Sequence, residues 1–193
     1  MEQKETVYGK ISRLAFTSMT NSMNIIIQKE LPENYLAVRE ILITCFKSDA
    51  ESKLVVTLRN NDKAILSLVA VQNGEVVGHV MFTPVTTSPS SIAKGLGLAP
   101  LAVKPEYQKH GIGAKLVEEG LRLCLELGYN FVVLLGNPKY YQRFGFRKAS
   151  DFGMQNEYGV DEPFMLIKLT SCDFQSGLIK YCPEFSFFYF KDK

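Results

Sequence analysis

Histidine and paired cysteine are what this sequence has least of. Two histidines occur in 193 residues, and the four cysteines, Cys45, Cys124, Cys172 and Cys182, form no C-x-x-C pair. That leaves no recognisable zinc site, so no metal is expected, and it leaves scattered thiols suited to a reducing, cytoplasmic setting. Long apolar runs are missing too. None approaches the roughly 20 residues needed to span a bilayer, and residues 1–20 alternate charges with single apolar side chains where a signal peptide would have its core. No membrane association or export is expected. Nor is there an excess of charge: the formal net charge is +2 with the basic residues spread along the chain, which gives no case for a nucleic-acid partner. Two phosphate-binding signatures are also absent. No glycine pair is spaced and followed as a Walker loop requires, and no three-glycine Rossmann turn occurs.

What is present is an ordinary apolar share of 46%, enough for one domain with a real core and without repeats or linkers. Residues 1–22 have no clear period and are expected to form an N-terminal extension, with the domain proper at 23–193. A first strand is expected at Ile25–Gln28. Two helices follow, one after Leu31-Pro32 with Tyr35, Val38, Ile41, Leu42 and Cys45 as its apolar stripe, one over Asp49–Leu58 with Leu54, Val55 and Leu58 inward. Ala64–Val71 and Glu75–Thr83 are β-rich, and Asn73-Gly74 between them is a hairpin signal. Residues 84–94, rich in Ser, Thr and Pro, are expected to be a loop. Phe164–Leu169 reads as the last strand, Asp151–Glu162 as a loop, and the aromatic tail from Leu178 to Phe190 is expected to pack back onto the sheet or a partner.

The organising stretch runs from Leu98 to Leu127. An apolar strand ending at Val103-Lys104-Pro105 leads through Gln108-Lys109-His110-Gly111-Ile112-Gly113 into a helix whose apolar face includes Leu116, Val117, Leu121, Cys124 and Leu125, stopped by Gly128. The apolar run Phe131–Leu135 then reads as a strand parallel to the first, completing one βαβ unit. A helix N-terminus offers unpaired N–H groups and a positive dipole end to an anion. Gly111 and Gly113 let a phosphate approach that backbone, and Lys109, His110 and Lys115 add positive charge. The plain alternative is a turn that needs glycine and binds nothing.

The order Gln108-x-x-Gly111-x-Gly113 after a strand resembles the pyrophosphate loop of the GNAT superfamily of acyl-CoA-dependent acyltransferases. A second stretch, Asn137-Pro138-x-x-Tyr141-x-x-Phe144-Gly145-Phe146, is similar to the family's late tyrosine helix and its glycine-phenylalanine turn. Within the superfamily the sequence resembles a bacterial group described as predicted N-acetyltransferases, over about residues 23–187. The resemblance implies an α/β fold with a central mixed, mostly antiparallel sheet, one parallel βαβ unit and flanking helices. It implies acetyl-CoA as cofactor, held by the backbone of Leu101, Ala102 and Val103, by the loop Gln108, Lys109, His110, Gly111, Ile112, Gly113, Ala114 and Lys115, and by Asn137, which serves equally as a helix cap. It implies Tyr141 as the acid beside the thioester sulfur, or else a core aromatic; Tyr140, 100° further round a helix, is expected to point outward. Glu51 is the candidate base, with a solvated helix carboxylate as the alternative; His79, in an apolar strand, is expected to be a strand residue. The implied reaction is acetyl transfer to a primary amine of a small molecule or peptide. A non-catalytic acyl-CoA sensor, a hydroxyl acceptor, a longer acyl chain and a homodimer stay open.

Overall fold

The computed structural model describes residues 24–90, 93–171 and 176–186. The expected N-terminal extension lies outside the described residues. Strand β1 (Ile25–Lys29) is followed by helices α1 (Tyr35–Phe46) and α2 (Ala50–Asn60), then by β2 (Leu66–Gln72), β3 (Glu75–Ser88) and β4 (Gly95–Val103). Helix α3 (Ile112–Glu126) leads to β5 (Phe131–Leu135), and the one-turn helix α4 (Pro138–Tyr141) leads to β6 (Arg147–Lys148), β7 (Met154–Asn156), β8 (Phe164–Lys168) and β9 (Gly177–Lys180). The main sheet runs β1-β2-β3-β4-β5-β8-β6. It is antiparallel throughout except at β4–β5, the strands joined by α3.

Local chemistry explains the central elements. Asn73 and Gly74, at φ 51° and 83°, take the left-handed conformations of a tight hairpin turn and set the β2–β3 register. Helices α1 and α2 bury Val38, Ile41, Leu42, Leu54, Val55 and Leu58 on one face of the sheet, and α3 buries Ile112, Leu116, Val117 and Cys124 on the other. Each such side chain contributes about 1.5–3 kcal/mol.

Strand β4 is irregular where it matters. Val80 pairs with Leu101 but Phe82 pairs with Leu98, so Ala99 and Pro100 stand opposite the single residue Met81. Pro100 has no N–H to give a ladder, which is why it is tolerated in this bulge. The extra residue resets the alternation, and Leu96, Leu98, Leu101 and Val103 all face α3.

Three expectations are corrected. Strand β3 does not end at Thr83: it continues to Ser88, and Thr86–Ser88 pair with β9. Phe164–Lys168 is not the last strand, since β9 follows it, and the 151–162 segment holds β7, which pairs with β9 in parallel. These stretches become strands because β9 reaches them from elsewhere in the chain, about ninety residues on from Thr86–Ser88 and about twenty on from β7, which no local pattern encodes. The described part of the aromatic tail packs inward, with Tyr181, Cys182 and Phe185 buried. No helix among the described residues is long and apolar enough to cross a membrane.

Candidate active site

The pairing of β4 with β5 covers only Gly95–Gly97 against Phe131–Val133. Beyond it β4 stays with β3 and β5 with β8, so the sheet opens into a slot. Two cavities of about 520 and 360 Å³ lie along β4 and share Leu101.

The larger cavity is built around the start of α3. Gln108 Nε2 donates to the Val103 carbonyl at 2.9 Å, tying the loop to the strand, and Lys109 and Gly111 are left-handed at φ 64° and 81°. A Cβ on Gly111 would meet no neighbour, so glycine is there for its backbone conformation. The helical ladder begins with Lys115 N–H to the Gly111 carbonyl at 3.1 Å. The amides of Ile112, Gly113 and Ala114 precede it, and all three residues line the cavity. Leu101, Val103, Gln108, Lys109 and Gly111 line it as well. His110 and Lys115 are exposed beside it and do not. Ala102 turns its side chain to the opposite face of the sheet, toward the α1 and α2 cluster.

Sequence reasoning missed three residues here, Tyr107, Tyr140 and Arg143. Arg143 lines the cavity, with its guanidinium over the Tyr140 ring at 4.2 Å and its Nε donating to the Tyr140 carbonyl at 2.8 Å. Tyr140, expected to point outward, is half-buried and lines the same cavity. A Cβ on Gly113 would stand 2.7 Å from its hydroxyl. The signal for Arg143 was its place two residues after Tyr141 in one motif. Tyr140 departs from the expected outward direction because α4 is a single turn, and both tyrosines face into the slot. Nearby Lys104 is ion-paired with Glu75, which also accepts from Tyr107 Oη at 3.0 Å.

The smaller cavity brings together Tyr141 and Glu51, ninety residues apart in sequence. Its floor is the β4 bulge, and Phe46, Leu54, Leu135 and Phe185 complete it. The Tyr141 ring packs edge-on against Tyr140 and Phe146, with centroids 4.9 and 5.7 Å apart. Gly136 lies beneath the ring, so close that a Cβ would be 2.5 Å from Tyr141 Cε2. Burial, reinforced by neighbouring Tyr140, raises the Tyr141 phenol well above the usual tyrosine range. Glu51 is fixed by the Ser48 hydroxyl, which donates to Oε2 at 2.9 Å and accepts from Ala50 N–H at 3.2 Å. Asn137 lines neither cavity; its Oδ1 accepts from Lys139 N–H at 3.0 Å and caps α4.

His79 also stands apart from both cavities. It is fully buried, with Nε2 2.9 Å from Ser67 Oγ. Ser67 has one proton and gives it to Glu30 Oε2 at 2.7 Å, so His79 carries its proton on Nε2 and donates to Ser67. Glu30 is ion-paired with Arg59. Burial first, then the Arg59 charge, pushes the imidazole down to about 3, and it stays neutral. Cys45, Cys124 and Cys182 are free thiols, and Cys172 lies outside the described residues.

Residues 35–146 match the Acetyltransferase (GNAT) family. The chain is 36% identical over 168 residues to a protein of Escherichia coli strain K12 named uncharacterized N-acetyltransferase YhbS, covering 85% of this chain and 100% of that one. A second from the same strain, uncharacterized N-acetyltransferase YjhQ, is 36% identical over 129 residues, with 65% and 71% covered. Among solved structures, E. coli YhbS in complex with CoA superposes with a TM-score of 0.82 at 34% identity, covering 88% of this chain and 96% of that one. A GNAT acetyltransferase from Brucella melitensis in complex with acetyl-CoA gives 0.72 at 31%, covering 84% and 99%.

Proposed function

The chain belongs to the GNAT family of acetyltransferases, and from that premise we propose that it transfers an acetyl group from acetyl-CoA to a primary amine of a small molecule or peptide. The observation that carries this reading is the pair of cavities meeting at Leu101, one ending on a helix N-terminus and the other on Tyr141 and Glu51.

These residues fit the cofactor. The free amides of Ile112, Gly113 and Ala114, with Lys109 and Arg143, suit a pyrophosphate. The open side of β4 at Leu101 and Val103 suits an extended amide-bearing arm that bonds like an added strand. Structures of relatives with CoA and acetyl-CoA support the assignment. When bound, acetyl-CoA supplies the thioester: an N–C bond forms, the C–S bond breaks, and one amine proton ends on the released thiol.

The chain's own residues hold and move protons. Glu51, anchored by Ser48, takes a proton from the incoming ammonium so that the nitrogen is free to attack. The Tyr141 hydroxyl, kept protonated by burial, offers a hydrogen bond to negative charge that develops on sulfur. Its pKa lies above that of an ordinary thiol, so it stabilises by donating a hydrogen bond more than by giving up its proton fully. In this reading residues 23–193 are the acyltransferase domain and 1–22 an extension to it. The free thiols support a cytoplasmic setting.

The test is thiol release from acetyl-CoA with a panel of amines, in wild type and Tyr141→Phe. Turnover with at least one amine is expected, and loss of the hydroxyl should lower kcat by about 10²-fold with CoA affinity unchanged. Wild-type turnover in a folded Tyr141→Phe protein would reduce the tyrosine to a packing residue. Acetyl-CoA binding without turnover on any amine would favour a sensor.

A further inference from the structure

On the footing of that acyltransferase reading, the smaller cavity specifies what it accepts. Phe46, Leu54, Leu135 and Phe185 present hydrocarbon to it, and among the described residues lining it Glu51 is the one charged side chain. At about 360 Å³ it stands at the small end of ligand pockets. A polyamine or an aminosugar antibiotic brings several ammonium groups, and each needs a counter-charge or water once it leaves solvent. One carboxylate serves one ammonium. An amino acid brings a carboxylate instead, for which this lining supplies no cation and which Glu51 would repel.

We infer that the acceptor is a small monoamine, one primary ammonium carried on an uncharged alkyl or aryl body. Glu51 holds the ammonium and takes its first proton, and the body packs among Phe46, Leu54 and Phe185. The N–C bond forms as the C–S bond breaks, and the second nitrogen proton ends on the released thiol.

Matched pairs test this with the full chain: pentylamine against 1,5-diaminopentane, and 2-phenylethylamine against phenylalanine. Each is followed by thiol release from acetyl-CoA and by calorimetric titration into the CoA-saturated protein. The monoamine of each pair should lead by at least about tenfold in kcat/KM and bind more tightly. From butylamine to hexylamine, kcat/KM should rise about fourfold per methylene. Phe46→Asp, at a position 39% exposed, adds a second carboxylate and should narrow the gap between pentylamine and the diamine; the matched pairs decide the matter if that variant does not fold. A diamine or amino acid that leads its pair overturns the inference and leaves the acyltransferase reading intact. Acetyl-CoA binding with no thiol release on any amine overturns both.

Discussion

Gly136→Ala tests whether Tyr141 works by position. The added Cβ would lie 2.5 Å from Tyr141 Cε2 and 3.0 Å from both Tyr141 Cδ2 and Leu134 Cδ1. Carbon atoms rest about 3.5–4.0 Å apart, so the ring must recede by about 1 Å. Tyr140 and Phe146 pack against its other sides, and the displacement is not absorbed freely. Overpacking of this kind costs about 1–3 kcal/mol, which lowers Tm by roughly 2–12 °C for a chain of this size. A misplacement of about 1 Å at a reacting group costs about 10²-fold in rate. Gly136 lines neither cavity, so CoA affinity by calorimetry should be unchanged while kcat by thiol release falls. The decisive control is the double variant. Once Tyr141→Phe has removed the hydroxyl, adding Gly136→Ala should cost less than about tenfold more in kcat. A folded Gly136→Ala protein with wild-type kcat, or full multiplicativity of the two losses, would refute the argument.

Gly111→Glu forces a left-handed residue to carry a side chain and sets a carboxylate at the helix N-terminus; CoA affinity by calorimetry should fall at least about 10²-fold in a folded protein. His79 gives a pH signature. Its pKa is about 3 when folded against 6.5 ordinarily, so between these values the unfolded chain binds the extra proton and stability is lost as pH falls. In denaturant unfolding, the excess stability of wild type over His79→Gln should shrink by about 2 kcal/mol between pH 7.5 and 5; a gap that does not change with pH would mean that the imidazole is not held neutral.

The sequence is most readable where chemistry is local. Asn73-Gly74, the periodic face of α3, the apolar run of β5 and the cap at Asn137-Pro138 all appear as expected. The slot itself was legible only through resemblance, because its geometry depends on where pairing stops. Pro100 is a visible interruption in β4, but that it marks a bulge facing Tyr141 depends on the β3 register. Glu51, Phe46 and Phe185 meet by packing of α1, α2 and the chain end against the sheet, and a helix carboxylate followed by polar residues looks the same whether it meets solvent or substrate. Likewise Thr86–Ser88 read as a loop until β9 supplies the missing partner.

The early parting of β4 from β5 also leaves a seam in the sheet. Directly between β4 and β5, the hydrogen bonding that joins the β1–β4 half of the sheet to the β5-β8-β6 half consists of three ladder pairs flanked by Asn130 N–H to the Lys94 carbonyl and Lys94 N–H to Asn130 Oδ1, each at 2.8 Å, while β9 bridges β3 and β7 to one side. Each half is built from its own stretch of chain and has its own antiparallel ladder, so the β4–β5 ladder beyond Gly97 and Val133 is where backbone amides lack strand partners across the seam, while the packed cores on both faces and β9 hold the halves together. A ligand lying in the slot with strand-like amides adds bonds along that seam. Amide exchange along β4 and β5 then reports occupancy, and stability rises with the logarithm of ligand concentration.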